Sequence, residues 1–190
     1  MFDAPRDDAA PARDGQDFAL LTGMGDTKNL VSREAVAKIK DIADNEIAML
    51  CTFTRDRAME ARPMGTQRIA SDGTVWFFSR KDSAVNQQIL ANPAVQLIYM
   101  VSGKSEYLSL DGTASISHDQ AKIDELWNGL AKAWFPEGKD DPDLTLITVT
   151  LLGGHYWDTK NGKMISLAKL AIAAVTGKPR EHGIEGALKV

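Results

Sequence analysis

The segment SRKDSAVNQQI (79–89) carries a dense group of hydrogen-bond donors between an apolar run and a helix-like pattern. Ser79, Arg80, Lys81 and Ser83 lie within five positions, where a strand is expected to turn into a helix. A helix that begins near Ser83 would present unpaired backbone N–H groups and the positive end of its dipole, which suit an anion such as phosphate. The same pattern also fits a capped helix without a ligand, because Ser83 is a favoured N-cap residue.

A second group of chemically useful side chains lies upstream, in the segment ARPMGTQ (61–67). The alternation of a β-strand places Arg62, Met64 and Thr66 on one face, and the same hairpin leads to Ser79. One hairpin would therefore bring a guanidinium group, a thioether and hydroxyls beside the donor-rich turn. Two simpler interpretations stay open: a surface ion pair for Arg62 and core packing for Met64.

The elements that position these groups can be predicted from periodicity and turn residues. Runs of β-prone residues predict strands at 47–54, 58–70, 73–79, 94–101, 106–117, 144–152 and 155–158. Helical patterns occur at 32–45, 83–91, 119–134 and 166–179. Because strands outnumber helices and most are joined by short turns, the sequence predicts an α+β fold, mainly an antiparallel sheet or small barrel with helices attached.

Composition and capping signals predict three regions along the chain. Residues 1–30 lack sustained periodicity and are predicted to be a mobile tail, followed by a barrel domain over 31–164. Residues 165–190 are predicted to form a C-terminal helix and tail that pack on the barrel or on a partner. The sequence SHDQ has the spacing of a capping box, so Ser117 is predicted to cap the helix that follows it.

Composition also excludes several classes of function. A chain of 190 residues can bury a sizeable core, and its formal net charge of -4 without a basic run argues against nucleic-acid binding. Cys51, the single cysteine, lies in an apolar run and is predicted to be a buried thiol; with only three histidines, no metal site is expected. No apolar run approaches the roughly 18 residues of a membrane span, and the acidic N-terminus is unlike a signal peptide. We therefore predict a cytoplasmic protein with no membrane association.

The common nucleotide-binding and hydrolase motifs do not occur in the sequence. GxGxxG after a strand, GxxxxGK[ST], HExxH and GxSxG are all absent. Asp140 and Asp141 are adjacent but fall in a predicted loop, where solvated charge explains them. The sequence therefore assigns no catalytic residue.

Eight motifs nevertheless occur in a recognisable order. They are ARPMGTQ, GTVWFFSRKDS, NPAVQLIY, YLSLDGTASI, KIDELW, KAWFPEGKDDPDL, YWD and SLAKLAIAAVTGK. Together, over residues 32–190, they resemble the general stress protein 26 group of the pyridoxamine 5'-phosphate oxidase-like flavoproteins. The resemblance implies a six-stranded antiparallel split β-barrel, a homodimer, and FMN bound in two equivalent clefts at the subunit interface.

The same resemblance implies a set of cofactor contacts. Residues that would face the flavin or its ribityl chain come from the upstream segment: Arg62, Pro63, Met64 and Gln67. Ser79 and Ser83 would hold the ribityl and phosphate groups. Trp157 of YWD would approach the flavin from the partner subunit, although an aromatic side chain that covers the barrel end is an equally good interpretation.

One position departs from the family pattern just after the donor-rich turn at 79–83, which is called the anion turn below. Relatives commonly carry Ser-x-Lys where this chain has Ser83, Ala84 and Val85, so the phosphate-binding lysine is replaced by valine. The loss of one charge-assisted contact costs about 1.5–3 kcal/mol. Lys81, or Arg80 beside it, is expected to supply the charge instead, and Val85→Lys is expected to tighten FMN binding.

The resemblance predicts a small FMN-dependent oxidoreductase, in which the flavin carries electrons and the protein positions it and tunes its potential. A flavin-binding or sensing dimer without turnover is the alternative, and a split-barrel protein that has lost flavin altogether is a third possibility. Oxidation of pyridoxamine 5'-phosphate is not expected, because the C-terminal Arg-x-His segment and the Tyr/Arg set of the vitamin-oxidising members are absent.

Overall fold

A curled β-sheet carries helices in the part of the chain that the computed structural model describes, residues 26–27, 30–31, 33–101, 103–104, 106–129, 131–158 and 184–189. Its strands are β1 (Asp26–Thr27), β2 (Leu30–Val31), β3 (Ile47–Phe53), β4 (Met59–Gly65), β5 (Arg68–Ile69), β6 (Val75–Arg80), β7 (Ala94–Val101), β8 (Glu106–Ser117), β9 (Leu144–Asp158) and β10 (Ile184–Lys189). The helices are α1 (Arg33–Ala43), α2 (Ala84–Ala91) and α3 (Gln120–Leu126). None of the helices in these ranges is long and apolar enough to cross a membrane.

Six strands form the barrel along the path β4-β3-β7-β8-β9-β6, and every neighbouring pair on this path is antiparallel. The interior holds a cluster of buried apolar side chains in which Leu50, Phe77 and Leu110 have no exposed surface. Buried apolar residues that face inward alternate along the strands with more exposed residues that face outward, as expected for a sheet buried on one side. The predicted α+β fold with a six-stranded antiparallel split barrel is confirmed.

The barrel closes at a bend within the segment that was predicted as a single strand over 58–70. The first part of this segment, β4, pairs with β3, whereas its last part, β5, pairs with β6. At the bend the Thr66 hydroxyl lies 2.9 Å from the buried Tyr99 hydroxyl, and the Gln67 backbone N–H donates to the Trp76 carbonyl at 2.9 Å. The prediction of one unbroken strand was wrong because these two contacts turn the chain from one neighbour to the other.

Strand β9 belongs both to the barrel and to the part of the sheet beyond it. It is one continuous strand of 15 residues where two strands were predicted. On one edge β9 pairs first with β6 and then with β10, while β8 runs along its other edge. Strand β8 lies very close to β9 at Gly154, where a Cβ atom would lie 2.2 Å from the Ser109 carbonyl oxygen. Glycine at 154 therefore permits the close pairing of β8 with β9 at this position.

The last strand, β10, extends the sheet beyond the predicted barrel. It pairs with β9 in antiparallel fashion and with the short strands β1 and β2 in parallel fashion. Residues 26–27 and 30 of the predicted tail are thus in strands. The helix predicted over 166–179 lies outside the described residues.

Helix ends differ in how well local signals predicted them. α1 ends at Ala43, and Asn45 with φ 63° adopts the left-handed conformation that commonly follows a helix. α3 is capped by Asp119, whose carboxylate accepts from the Lys122 N–H at 3.1 Å, so the prediction of Ser117 as the cap was wrong. Ser117 is instead the last residue of β8, paired with Leu146. α3 also ends at Leu126, well before the predicted end at 134.

Candidate functional site

Strand β6 and helix α2 are joined by a buried polar network at the predicted anion turn. The Ser79 hydroxyl donates to the Asn86 side-chain carbonyl at 2.8 Å, and the Asn86 amide donates to the Thr145 hydroxyl oxygen at 2.8 Å. The Thr145 hydroxyl is also within 3.1 Å of the Ser79 carbonyl, and all three residues are buried. Ser79 therefore fixes α2 on the barrel through bonds within the protein. A direct contact from Ser79 to a cofactor stays a prediction.

The Asn86→Ala variant is expected to unfold with a free energy about 1–3 kcal/mol lower than the wild type, because it removes both side-chain bonds of a residue that is 2% exposed. Urea denaturation followed by circular dichroism measures this change. Gln87→Ala, on the exposed side of the same helix, is the control and should stay within about 0.5 kcal/mol. Equal stability of the two variants would show that the network does not anchor α2.

The two cationic residues of the turn have different surroundings. Arg80 pairs with the Asp143 carboxylate at 2.7 Å and with the Asp82 carboxylate at 3.4 Å. The Lys81 backbone N–H donates to the Asp143 carbonyl at 2.7 Å, but the side chain of Lys81 is exposed. Two carboxylates thus compensate Arg80, so Lys81 is the cation of the turn that is better placed to meet an external anion.

The start of α2 explains why position 85 suits a valine and not a lysine. The Ser83 oxygen accepts from the Asn86 N–H at 3.4 Å, so Ser83 caps the helix as predicted. Val85 is 5% exposed and lies in the barrel core, one helical turn before the buried Ile89. Ala84, by contrast, is exposed. A lysine at 85 would bury its ammonium group, so Val85→Lys is expected to lose stability. The tighter FMN binding expected for this variant stays a prediction.

Arg62 extends from β4 to α2, where three side chains hold its guanidinium group. It donates to the Thr52 hydroxyl at 2.6 Å, to the Gln88 side-chain carbonyl at 2.8 Å and to the Glu60 carboxylate at 3.1 Å. Thr52 is fully buried and itself donates to Gln88 at 2.5 Å. Gln88 lies five residues after Ser83, about 7.5 Å along the helix axis. The two halves of the predicted site, the Arg62 strand and the anion turn, therefore meet on α2.

An open cleft of about 190 Å³ runs along this side of α2. Its lining combines one face of the helix with the end of β3 and the following turn: Ala84, Gln87, Gln88, Ala91, Phe53, Thr54 and Arg55. Gln88 connects the cleft with Arg62. The volume is below the roughly 300 Å³ of small-molecule pockets, so one chain offers room for a phosphate group and part of its chain rather than for a whole flavin.

Strand alternation places the predicted flavin contacts of the segment ARPMGTQ on opposite faces of the sheet. Arg62 lies opposite the buried Leu50, and Met64 is half-buried against the core, which supports core packing for its thioether. Pro63 lies opposite Met49 on the outer face of the barrel. Arg62 and Pro63 therefore face opposite sides of the sheet and cannot contact the same part of a ligand within one chain.

Trp157 lies far from the anion turn within one chain. It sits opposite Tyr107 near the end of β9, with its ring stacked on His155 at a centroid distance of 6.2 Å. Thr145, which pairs with Ser79, is twelve residues earlier on the same strand, or about 40 Å along it. A site that contains both Trp157 and the anion turn thus needs a second chain.

Gln67 is oriented toward the end of α3 instead of toward Arg62. Its amide nitrogen donates to the Gly65 carbonyl at 2.9 Å, and its side-chain carbonyl accepts from the Asn128 amide at 2.7 Å. Asn128 in turn accepts from the Ala131 N–H at 3.1 Å. The orientation of Gln67 is therefore fixed, and its predicted contact with a flavin stays a prediction.

The single cysteine lies in the core near Arg62. Cys51 is 2% exposed, as predicted for a buried thiol. Burial raises the pKa of its thiol, and the opposing influence of Arg62 is smaller. Among the described residues no three His, Cys, Asp or Glu side chains converge as a metal site would require.

Sequence reasoning missed the neutral and acidic partners that complete the two networks. These residues are Thr52, Glu60, Asn86, Gln88 and Thr145. A usable signal existed for one pair, since the predicted hairpin of 47–54 with 58–70 places Thr52 opposite Glu60. Contacts with α2 and β9 depend on tertiary packing and left no local signal.

Comparison with known proteins places this chain in a family. The family model described as "Pyridoxamine 5'-phosphate oxidase like" matches residues 34–181. A candidate general stress protein 26 from Jannaschia sp. CCS1 is 28% identical, with a TM-score of 0.65 over 78% of this chain and 93% of that chain. The general stress FMN/FAD binding protein from Xanthomonas citri is 27% identical, with a TM-score of 0.58 over 68% and 91% of the two chains. Protein bli-3 from Neurospora crassa is 24% identical over 156 residues, 75% of each chain.

Proposed function

This chain belongs to the pyridoxamine 5'-phosphate oxidase-like family, and we propose on that premise that it is an FMN-binding flavoprotein that acts as a small oxidoreductase. The observation that carries the proposal is the position of Arg62, whose guanidinium group lies beside α2 and already holds a carboxylate together with Gln88. A related structure that is 27% identical is named as an FMN/FAD binding protein, which supports a flavin as the ligand.

The donors around α2 fit the phosphate end of FMN. Arg62 supplies a delocalised cation that suits phosphate oxygens, and Gln88 adds an amide N–H. The exposed Lys81 and the N-terminal end of α2 contribute positive potential on the same side of the barrel. In the proposal these groups hold the phosphate, while Ser83 and the buried Ser79 network keep the helix in place.

The flavin, when bound, supplies the electron-transfer chemistry that protein side chains lack. The chain's own contribution is to bind the phosphate and to orient the ring. The barrel wall excludes water from one side of such a site, because the core beneath Arg62 is apolar and Leu50 is fully buried. No substrate follows from these contacts, and we do not propose pyridoxamine 5'-phosphate as one.

We further propose a homodimer in which the partner's Trp157 completes the site. The outer apolar face, defined by Ile47, Met49, Ile98, Met100, Tyr107 and Trp157, crosses four neighbouring strands. Ile47 is 64% and Met100 66% exposed in a single chain, which is unusual for side chains clustered on one sheet face. Burial of this face between two chains would remove that exposure and would allow Trp157 to approach the other chain's anion turn.

The Met100→Glu variant is expected to be a monomer at micromolar concentration, because a charge at the centre of the outer apolar face would be buried in the dimer. Sedimentation equilibrium measures the mass directly. Leu90→Glu places the same charge on a residue of α2 that is 75% exposed, and this control should keep the wild-type mass. A dimeric Met100→Glu protein, or a monomeric wild type, would contradict the proposed interface.

Flavin binding itself is tested with purified protein that is incubated with excess FMN and then desalted. We expect a yellow protein with the flavin spectrum and close to one FMN for each chain. Protein that stays colourless, and that shows no saturable quenching of FMN fluorescence, would contradict the proposed function.

A flavin-binding dimer without turnover is the second candidate, and one observation favours it. The buried network at the turn consists of Ser79, Asn86 and Thr145, none of which titrates near neutral pH. Anaerobic addition of NADH or NADPH separates the two functions. Bleaching of the bound flavin within seconds to minutes supports an oxidoreductase, and flavin that stays oxidised supports the binding module.

A further inference from the structure

The Glu60 carboxylate occupies a position where an anionic ligand would be expected. One of its oxygens accepts from Arg62 at 3.1 Å and from the Gln88 amide nitrogen at 2.7 Å. A guanidinium N–H and an amide N–H that converge on one oxygen form an oxyanion-binding pair. In this chain that pair holds the protein's own carboxylate.

The two sides of this contact differ in how firmly they are held. Arg62 and Gln88 are braced from below by Thr52, which is fully buried and bonds both of them, at 2.6 Å and 2.5 Å. The Arg62 side chain is only 22% exposed, whereas that of Glu60 is 52% exposed. The donor groups of Arg62 and Gln88 are thus preorganised, whereas the Glu60 carboxylate can be displaced.

Few contacts hold the Glu60 side chain in this position. Its side chain makes hydrogen bonds with Arg62 and Gln88 alone among the described residues. Ion pairs with this degree of exposure contribute little to stability, so an incoming anion can displace the carboxylate at small cost. Arg55 lines the cleft that also contains Gln88, which adds a second cation to the surroundings of the vacated position.

We propose that Glu60 is an internal competitor for the anion position of Arg62 and Gln88. It lowers the affinity of this position for phosphate groups and thereby sets how strongly the chain prefers a phosphorylated ligand over its neutral form. The inference rests on the proposed function for the identity of the natural ligand, FMN, but the competition itself concerns any phosphate-bearing molecule. Displacement of Glu60 would accompany binding, and no covalent step is involved.

The Glu60→Gln variant tests this competition, because it removes the charge and keeps the size of the side chain. Inorganic phosphate, FMN and riboflavin are the probes, titrated by calorimetry and by fluorescence quenching at constant ionic strength. We expect the dissociation constants for inorganic phosphate and for FMN to fall by about fivefold, since an exposed ion pair of this kind contributes up to about 1 kcal/mol. The constant for riboflavin, which lacks the phosphate, should not change.

Two further variants make the test specific. Glu60→Ala should give the same gain as Glu60→Gln, which shows that loss of the carboxylate and not a new amide contact is responsible. Glu125→Gln changes the net charge equally at another carboxylate that pairs with an arginine, Arg68 on β5, and should leave all three constants unchanged.

The outcomes separate the inference from the proposed function. Unchanged or weaker binding of inorganic phosphate and FMN by both Glu60 variants would overturn the inference, even if the wild type binds FMN. If no variant binds either flavin but inorganic phosphate binds more tightly without Glu60, the flavin function fails and the competition stands. An equal gain for riboflavin and FMN would also overturn the inference, because it would place the effect away from the phosphate.

Discussion

The Arg62→Ala variant is expected to bind FMN about 10- to 100-fold more weakly than the wild type. The guanidinium group is hydrogen-bonded both to the fully buried Thr52 and to Gln88 of α2, and a charge-assisted hydrogen bond is worth about 1.5–3 kcal/mol. Fluorescence titration with FMN measures the loss. Riboflavin affinity should change much less, because the lost contact is with the phosphate.

Two controls accompany this variant. Arg33→Ala removes an exposed arginine at the start of α1 and should leave FMN affinity unchanged. Circular dichroism of Arg62→Ala should match the wild type, since the residue is only partly buried. FMN affinity that is equal in Arg62→Ala and wild type would remove Arg62 from the site and with it the main support for the proposed function.

The Val85→Lys variant is expected to lose about 3–5 kcal/mol of unfolding free energy, the range observed when a charge is left uncompensated in an apolar interior. Val85 is 5% exposed and packs in the barrel core among apolar side chains. Urea denaturation measures the loss. Position 85, which the resemblance assigns to the family's lysine, is therefore a core position in this chain.

Ala84→Lys is the matched comparison for this change, because Ala84 is exposed and lines the cleft. This variant should stay folded with a free energy within about 1 kcal/mol of the wild type, since its main cost is a cation near the helix N-terminus. It should also bind FMN more tightly. A Val85→Lys protein as stable as Ala84→Lys would contradict the packing described for α2.

Local signals were sufficient to predict most of the barrel. Strands β7 and β8 begin and end at the predicted residues, 94–101 and 106–117, because apolar alternation and the intervening turn specify them without reference to the rest of the chain. The bend between β4 and β5 could not be predicted in this way. It depends on the bond between Thr66 and Tyr99, which are 33 residues apart.

The candidate site shows the same division. Ser83 as a helix cap and Arg62 as the cation next to the turn follow from spacing and alternation. The inward direction of Val85 and the contact of Glu60 with Gln88 follow only from the packing of α2 against β3 and β4. Sequence patterns predicted the position of an anion site, and tertiary contacts determine which side chains are available at that position.

A crystal structure of the protein with bound FMN tests the central claim most directly. We predict the phosphate within hydrogen-bonding distance of the Arg62 guanidinium group and the Gln88 amide, with the Glu60 carboxylate displaced and the partner's Trp157 beside the flavin. FMN bound with its phosphate away from Arg62 and α2, or within a single chain without the partner, would contradict the account.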